Sequence, residues 1–256
     1  WVIIDPNSKP LKNCKAKFIN KFYDEKLDLD YKDSTIVHSH TLEHVYNPLK
    51  FMSVISKKIN NNRLIFSVPN IKEMVRRKYT NAINFEHTYF LTEEFTKYYL
   101  DLFGFEIEFK EYFLEDHSIF YSAFKKYKKV KKEIKIKNYY KENKKIFNEY
   151  KEYNDRIVNK LNDQIESSKG NVYLFGAHIF SQHLLSIGLS EKNITSILDN
   201  DITKQSRRLY GTTLHVNSPK ILRNEKSPTV ILKAGAYNSE IKKDILENIN
   251  SKTIFL

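Results

Sequence analysis

Short apolar runs that end in polar residues alternate with segments of helical periodicity along the first half of the chain. Strands are predicted at 2–4, 16–22, 33–37, 63–68, 105–109 and 118–124. Helices are predicted at 49–59, opened by Pro48, and at 92–103, stopped by Gly104, whereas residues 71–83 are either helix or loop. Alternation of this kind predicts an α/β fold.

The second half of the chain begins with a long segment that lacks both Gly and Pro, from residue 125 to 169. Its apolar residues recur at spacings of three, four and seven, which predicts one or two amphipathic helices. These residues are Ile134, Tyr140, Phe147, Tyr150, Ile157, Leu161 and Ile165. Strand candidates at 171–175, 194–198, 229–233 and 253–255, with a helix at 239–248, then predict a small Rossmann-like parallel sheet. The expected domains are 1–124, a basic helical linker at 125–168, and 169–256.

Polar residues follow the predicted strands, which is where open α/β sheets bind their ligands. Asp5 comes directly after the first strand, and two readings of it stay open. It accepts hydrogen bonds from two ribose hydroxyls, or it caps a turn. A loop rich in His and Glu follows residues 33–37, and its His38, His40 and His44 also have the spacing of metal ligands.

The loop residues Thr41-Leu42-Glu43-His44-Val45, with Pro48 and the strand end Val68-Pro69-Asn70, resemble class I S-adenosylmethionine (SAM) methyltransferases. The resemblance implies a Rossmann-like methyltransferase domain with SAM as its cofactor, and it implies that the strands at 105–109 and 118–124 pair in antiparallel fashion. It explains the His residues of the loop without a metal, so no metal site is expected. The residues implied in cofactor binding are Asp5, Pro6, Ser39, His40 and His44.

Glycine is absent from the first 103 residues. The fold that the sequence resembles needs a Gly-rich turn after its first strand, because side chains would keep the backbone away from the cofactor. If Asp5 ends the second strand, that turn belongs upstream of Trp1. The methyltransferase domain is therefore expected to be N-terminally incomplete.

The segment Glu86-His87-Thr88-Tyr89-Phe90, ahead of a predicted helix, resembles the corresponding segment of sugar C-methyltransferases. The resemblance implies His87 as general base, Glu86 as its orienting carboxylate and Tyr89 as a further catalytic residue, with Asn70 contacting the substrate. A purely structural His87 is the alternative.

Four segments near the C-terminus resemble the second domain of the same enzymes. They are Phe175-Gly176-Ala177, Asp199-Asn200-Asp201 with Lys204-Gln205, Gly211-Thr212 through Pro219, and Ala236-Tyr237-Asn238. The resemblance implies that Gly176, Asp199 and Asn238 help to bind a nucleotide-linked sugar.

The chain carries a net charge of +12, and residues 125–152 hold 12 Lys against 4 Glu. A solvated helix face explains this better than nucleic-acid binding, although the charge keeps that class of partner open. The neighbouring patch Arg76-Arg77-Lys78 either holds a substrate phosphate or is solvated. One Cys excludes a disulfide framework. Without a membrane span or a signal peptide, a cytoplasmic location is expected. The linker helices either pack within the chain or form a homodimer seam.

The sequence thus predicts SAM-dependent methyl transfer to a nucleotide-linked sugar or surface-polysaccharide precursor. The alternative is a non-catalytic module that binds a nucleotide sugar or a protein partner on a degenerate methyltransferase scaffold.

Overall fold

A computed structural model describes residues 1–27, 29, 34–59, 62–114, 117–125 and 134–256. The chain forms two compact units. The first unit contains residues 1–68, 94–111 and 120–136, and the second contains 69–93, 112–119 and 137–256. Residues 69–93 and 112–119, which lie inside the predicted domain 1–124, thus belong to the second unit. No helix of the described residues is both long and apolar enough to span a membrane.

Two sheets make up the framework of the first unit. Strands β1 (Val2–Ile4) and β2 (Lys17–Ile19) pair in parallel. Strands β3 (Ile36–Ser39), β4 (Arg63–Pro69), β5 (Phe105–Phe113) and β6 (Ser118–Lys125) form a sheet of order β3-β4-β6-β5. The predicted strands are confirmed with shifted ends, and the predicted start at Asp33 lies outside the described residues. As predicted, β5 and β6 are neighbours.

A helix connects the parallel strands β3 and β4, as the apolar periodicity predicts. Helix α1 (Pro48–Lys58) starts with Pro48 in its first turn and Asn47 as N-cap, whose side chain accepts a bond from the Lys50 amide at 2.9 Å. Its buried face includes Met52 and Ile55. Because β3 and β4 are parallel, the loops after both strands emerge at one edge of the sheet. Helix α3 (Glu93–Leu102) precedes β5, and Gly104 has the positive φ of 76° expected after a helix end.

The second unit is built on a five-stranded sheet in which all neighbouring strands are parallel. Its strands are β7 (Val172–Phe175), β8 (Ser196–Leu198), β9 (Val216–Asn217), β10 (Thr229–Ile231) and β11 (Ile254–Phe255). The spatial order β9-β8-β7-β10-β11 is the doubly wound order 3-2-1-4-5. The predicted Rossmann-like sheet is confirmed. Strand β9 was not predicted, because two residues are too few to produce a recognisable pattern.

Three helices accompany this sheet. Helix α5 (Ile179–Ser186) follows β7, and helix α6 (Asn238–Asp244) runs on into a π-helical turn, Ile245–Ile249. Among the described residues of the predicted linker, helix α4 spans Tyr140–Glu166 and belongs to the second unit, whereas residues up to 136 belong to the first. Residues 126–133 of that predicted linker lie outside the described residues.

The apolar stripe predicted on α4 is correct only toward its C-terminal end. The buried residues are Tyr150, Asn154, Val158, Leu161 and Ile165. Val158, Leu161 and Ile165 pack in one core cluster with residues of the sheet and of α5. Tyr140 and Phe147 were predicted in the stripe but are 64% and 46% exposed. Tyr140 lies before Ile146 and Tyr150, which pack in a cluster with helix α2, and the Phe147 ring stacks on Tyr150 from the exposed side, with centroids 6.3 Å apart.

The segment 69–93 is anchored on α4 and on the end of β10. Helix α2 (Ile71–Arg76) contributes Ile71, Met74 and Val75 to a cluster with Tyr150. The buried Thr80 donates a hydrogen bond to the Lys233 carbonyl at 2.7 Å. A cluster and a specific bond together fix the course of the segment that leads to Glu86 and His87.

The Arg76-Arg77-Lys78 patch is engaged within its own unit. Arg77 pairs with Glu73 at 2.9 Å, and Arg76 lies 3.8 Å from both Glu73 and Glu142. These ion pairs favour the solvated, structural reading of the patch over a phosphate site.

The anchor predicts a specific cost for a side chain at Gly235. This residue has φ +59°, and an added Cβ would lie 3.2 Å from the Tyr79 ring. We expect Gly235→Ala to lower the free energy of unfolding by more than the roughly 1–2 kcal/mol of the left-handed conformation alone. The measurement is urea unfolding followed by circular dichroism.

Gly211→Ala is the matched control. Gly211 also has a positive φ, +80°, but no heavy atom lies within 4 Å of an added Cβ. The control therefore carries the conformational cost without the crowding. Equal losses in the two variants would show that the close approach of Tyr79 contributes nothing.

Candidate functional site

The end of β3 forms a compact polar turn in the first unit. The Ser39 and Ser67 hydroxyl oxygens lie 2.7 Å apart, and the His40 amide donates to the Ser67 carbonyl at 3.0 Å. His40 has a φ of +47°, which is uncommon for a residue with a side chain. Its Nδ1 lies 3.2 Å from a carboxylate oxygen of Glu43, and Glu43 is only 1% exposed. The left-handed backbone thus brings the imidazole onto a buried carboxylate.

His44 completes this turn, since it ends a short 3-10 helix, Leu42–His44. Three of the residues implied in cofactor binding, Ser39, His40 and His44, therefore lie at the end of β3 and in the turn that follows it. Their function stays a prediction.

Asp5 follows β1 as predicted, and it is exposed. Its Oδ1 accepts a hydrogen bond from the Asn7 amide at 2.7 Å, which is the turn-capping arrangement that the sequence left open. A cap of this kind uses one carboxylate oxygen and leaves a ribose contact through the other as a prediction. Pro6 lies within the turn.

His38 belongs to the His cluster of the loop, but its half-buried ring packs against two aromatic side chains. The ring stacks on Phe66 with centroids 5.2 Å apart, and it meets Phe51 edge-on at 5.8 Å. Both ring nitrogens are buried without a hydrogen-bond partner among the described residues. Burial lowers the pKa of His38 from 6.5 to about 4, although Glu43 opposes the shift. The His38 ring is thus neutral at neutral pH.

An open cleft of about 500 Å³ lies within the second unit, at the carboxyl ends of β7 and β8. Its walls come from three segments of that unit. They are residues 84–86, the turn and helix start after β7, and the loop between β8 and β9. The aromatic, charged and imidazole side chains among the lining residues are Phe85, Glu86, His178, Lys204, Arg207, Arg208 and Tyr210.

The predicted glycine turn after β7 is formed at Gly176. Gly176 has φ +102°, and its amide donates to the Leu198 carbonyl at 2.7 Å. The Ala177 amide donates to Asp199 Oδ2 at 2.8 Å, and the Asp201 amide donates to Asp199 Oδ1 at the same distance. Asp199 therefore joins the ends of β7 and β8, and its role toward substrate stays a prediction.

The Asp199 carboxylate also holds a cation at the cleft. Lys204 Nζ lies 3.4 Å from Asp199 Oδ2. Across the cleft, burial and the nearby Lys204 lower the pKa of His178, while Glu86 and Asp199 oppose this. The charges of Glu86, Asp199 and Lys204 therefore all act on the pKa of His178.

Glu86 of the predicted catalytic segment lines this same cleft. The Asn84 side chain accepts from the Glu86 amide at 3.0 Å, and the Asn84 carbonyl accepts from the His87 amide at 3.1 Å. This tight turn places Glu86 on the cleft wall. His87 and Tyr89 are half-buried beside it in sequence, and the His87 ring meets Phe90 edge-on.

Two predicted substrate residues have backbone roles in the second unit. The Asn70 amide donates to the His117 carbonyl at 3.0 Å, and Asn238 Oδ1 accepts from the Ala234 amide at 2.7 Å. Asn238 thereby fixes the turn after β10. Asn70, Glu86, His87, Tyr89, Gly176, Asp199 and Asn238 all belong to the second unit, whereas the residues implied in cofactor binding belong to the first.

Sequence reasoning missed the arginines and aromatics of the cleft. Arg207, Arg208 and Tyr210 follow the second strand of a Rossmann-like unit, and Phe85 precedes the Glu86-His87 pair. The signal available in the sequence is the basic cluster Lys204 to Arg208, which is followed by Tyr210. The excess of positive charge at 125–152 is larger, and it makes this shorter cluster hard to single out.

The buried His38 predicts a pH-dependent stability. The unfolded chain binds a proton near pH 6.5, whereas the folded chain binds it only near pH 4. Stability from this residue is therefore full above pH 6.5 and is lost as the pH falls toward 4. At about 1.4 kcal/mol per pKa unit, the loss is about 3 kcal/mol. Urea unfolding between pH 4 and pH 7 measures it.

His38→Phe keeps an aromatic ring between Phe51 and Phe66 but cannot titrate. This variant should lose that part of the slope, whereas the exposed His215→Gln should keep it. An unchanged slope in His38→Phe would show that other groups cause the dependence.

No family model matches the sequence, and no curated protein matches it. Among solved structures, part of the chain is similar to magnesium protoporphyrin IX methyltransferase from Synechocystis PCC 6803, a structure with bound SAH. The sequence identity is 19% and the TM-score is 0.34. The match covers 43% of this chain and 52% of the enzyme, so the chain spans about half of that protein's length.

Proposed function

We propose that this protein is a SAM-dependent methyltransferase that acts on a nucleotide-linked sugar or a related surface-polysaccharide precursor. One observation carries the proposal. The turn that holds the Glu86-His87 pair lies in the second unit, and Glu86 lines the same cleft as the Gly176 turn and a group of basic residues. An acceptor held in this cleft would lie against Glu86, the residue that precedes the candidate base His87 in the chain.

The strand order of the first unit supports the cofactor part of the proposal. In a doubly wound sheet of order 3-2-1-4-5, the second and third strands are neighbours, as are the fourth and fifth. Strands β1 and β2 form one such parallel pair, and β3 and β4 form the other. Asp5 follows the leading strand of the first pair, Ser39 ends β3, and His40 comes directly after it.

These positions fit the polar parts of SAM. The second carboxylate oxygen of Asp5 suits a ribose hydroxyl, and the hydroxyl and imidazole groups after β3 suit the adenosine or amino-acid portion. When bound, SAM supplies an electrophilic methyl group.

The role proposed for His87 is to remove a proton from the acceptor. A neutral imidazole accepts a proton near physiological pH, and a carboxylate that holds the ring raises its effectiveness. Glu86 is the proposed orienting group, and Tyr89 is proposed to help position the acceptor. Methyl transfer itself needs mainly alignment of the two reactants, which the turn at 84–87 would provide.

A second candidate is a binding module without catalysis. The observation that favours it is that the first 103 residues contain no glycine and therefore no glycine turn that could approach a cofactor closely. Such a module would use the cleft of the second unit for a nucleotide sugar. It would not bind SAM.

Calorimetric titration with S-adenosylhomocysteine separates the two candidates. For a methyltransferase we expect micromolar binding to this chain or, where the gene encodes residues ahead of Trp1, to the chain extended by them. Asp5→Ala should weaken the binding about tenfold, because it removes a charge-assisted hydrogen bond. Asp24→Ala, an exposed acid of the same unit, is the control. Absence of binding in both forms would favour the binding module.

His87→Asn tests the catalytic part of the proposal. We expect turnover to fall by about 10² to 10⁴, the usual contribution of a positioned base. Affinity for S-adenosylhomocysteine should stay within a few-fold. The measurement is methyl transfer from labelled SAM to nucleotide-sugar acceptors, with the exposed His215→Gln as control. Wild-type turnover in His87→Asn would refute the role of His87.

A further inference from the structure

The cleft of the second unit combines cations with exposed aromatic side chains. Among its lining residues, Lys204, Arg207 and Arg208 carry positive charge and Glu86 carries negative charge. Phe85 and Tyr210 are 69% and 83% exposed. Large exposed rings on a concave polar surface are unusual without a ligand, because burying them would be favourable.

The basic residues are held on a fixed backbone. The Val216 amide of β9 donates to the Arg207 carbonyl at 2.8 Å, and the Ser206 amide donates to the Val216 carbonyl at 2.9 Å. Arg208 forms an antiparallel bridge with His215. The buried Leu209, 4% exposed, anchors the chain between Arg208 and Tyr210. These contacts leave the arginine side chains and the Tyr210 ring exposed at the cleft while fixing their origin.

The opposite wall is the start of a helix. Helix α5 begins at Ile179, and its N-cap His178 makes no side-chain capping bond. His178 and Ile179 line the cleft together with the arginines. First-turn amides and the helix dipole favour an anion, and in a doubly wound sheet the helix after the first strand is where phosphates bind. Here that strand is β7.

Acidic residues nearby reduce the positive charge without cancelling it. Lys204 is paired with Asp199. Hydrogen bonds from Thr203, with help from Lys204 and Arg207, lower the pKa of Asp201, so this acid stays ionised beside them. No side-chain hydrogen bond or ion pair is formed by Arg207 or Arg208 within the described part of the chain.

We propose that this cleft binds a nucleoside diphosphate group, with Arg207, Arg208 and the start of α5 on the phosphates and Phe85 and Tyr210 against the base. Guanidinium groups form paired hydrogen bonds with phosphate oxygens, and aromatic rings stack on a nucleic-acid base of any kind. Glu86 then faces the hydroxyl-bearing part of the ligand. The volume of about 500 Å³ is within the range of small-molecule sites.

This inference deepens the proposed function by naming the group that anchors its substrate, and it changes the assignment of the anchor. The sequence indicated Gly176, Asp199 and Asn238 as substrate ligands. We assign the binding energy instead to the two arginines, Arg207 and Arg208, and to the rings of Phe85 and Tyr210. Gly176 and Asp199 act instead by shaping the turn and holding Lys204.

Calorimetry on the full chain without SAM tests the inference. The probes are the diphosphates of uridine, thymidine, guanosine and adenosine, together with pyrophosphate and the four nucleosides. We expect at least one diphosphate to bind at least tenfold more tightly than both pyrophosphate and its own nucleoside. Equal affinity for pyrophosphate would reduce the cleft to an anion site and overturn the proposal, as would no binding of any diphosphate.

Two variants assign the residues. The double substitution Arg207→Ala and Arg208→Ala should weaken diphosphate binding at least tenfold. Tyr210→Ala should weaken it several-fold but leave pyrophosphate affinity unchanged. The controls Arg156→Ala and Tyr153→Ala, on α4, should bind as the parent does. Wild-type affinity in the arginine variant would refute the site.

A further arm separates a mononucleotide ligand from nucleic acid. A single-stranded RNA of ten nucleotides that bound more tightly than every diphosphate, with a steep salt dependence, would overturn the proposal in favour of nucleic-acid binding. Because SAM takes no part, failure here leaves the methyltransferase proposal to its own tests. Loss of S-adenosylhomocysteine binding likewise leaves the cleft intact as a nucleotide site.

Discussion

The second unit depends on the anchoring of residues 69–93 against helix α4 and the end of β10. Helix α2 buries its apolar side against Tyr150, and Thr80 donates to the Lys233 carbonyl. The backbone of Gly235 leaves room for the Tyr79 ring next to this bond. A segment that follows a strand of one sheet is thus fixed to the structure around another. Without this anchor the turn at Asn84 would have no defined position at the cleft.

The cleft shows how a minimal Rossmann-like sheet can make a ligand site without a full glycine fingerprint. One glycine, Gly176, takes the left-handed conformation at the end of β7. Asp199 fixes the backbone of the two turns after β7 and β8, because its two carboxylate oxygens accept hydrogen bonds from one amide in each turn. Specific side chains then come from the short segment that leads into β9. Its arginines project from a backbone that is already paired.

The polar turn after β3 in the first unit is organised differently. There a buried carboxylate, Glu43, lies against His40, and the half-buried, neutral His38 ring stacks on Phe66. Residues two apart on a continuous strand would project from the same face. Strand β3 ends at Ser39, however, and His40 takes a left-handed backbone conformation with a φ of +47°. The spacing of the two histidines alone suggested a common ligand, and the end of the strand gives them different surroundings.

The sequence by itself determined the α/β class, most strands and helices, and the polar residues at strand ends, because these follow from local periodicity and turn chemistry. It also indicated the glycine turn at Gly176 correctly. Only the tertiary structure decided which elements belong together. Burial of Tyr150 rather than Tyr140 on α4, the membership of residues 69–93 in the second unit, and the assembly of Phe85, Arg207 and Tyr210 around one cleft all depend on contacts between residues far apart in sequence. Periodicity records which side of an element is apolar, but not which surface covers it.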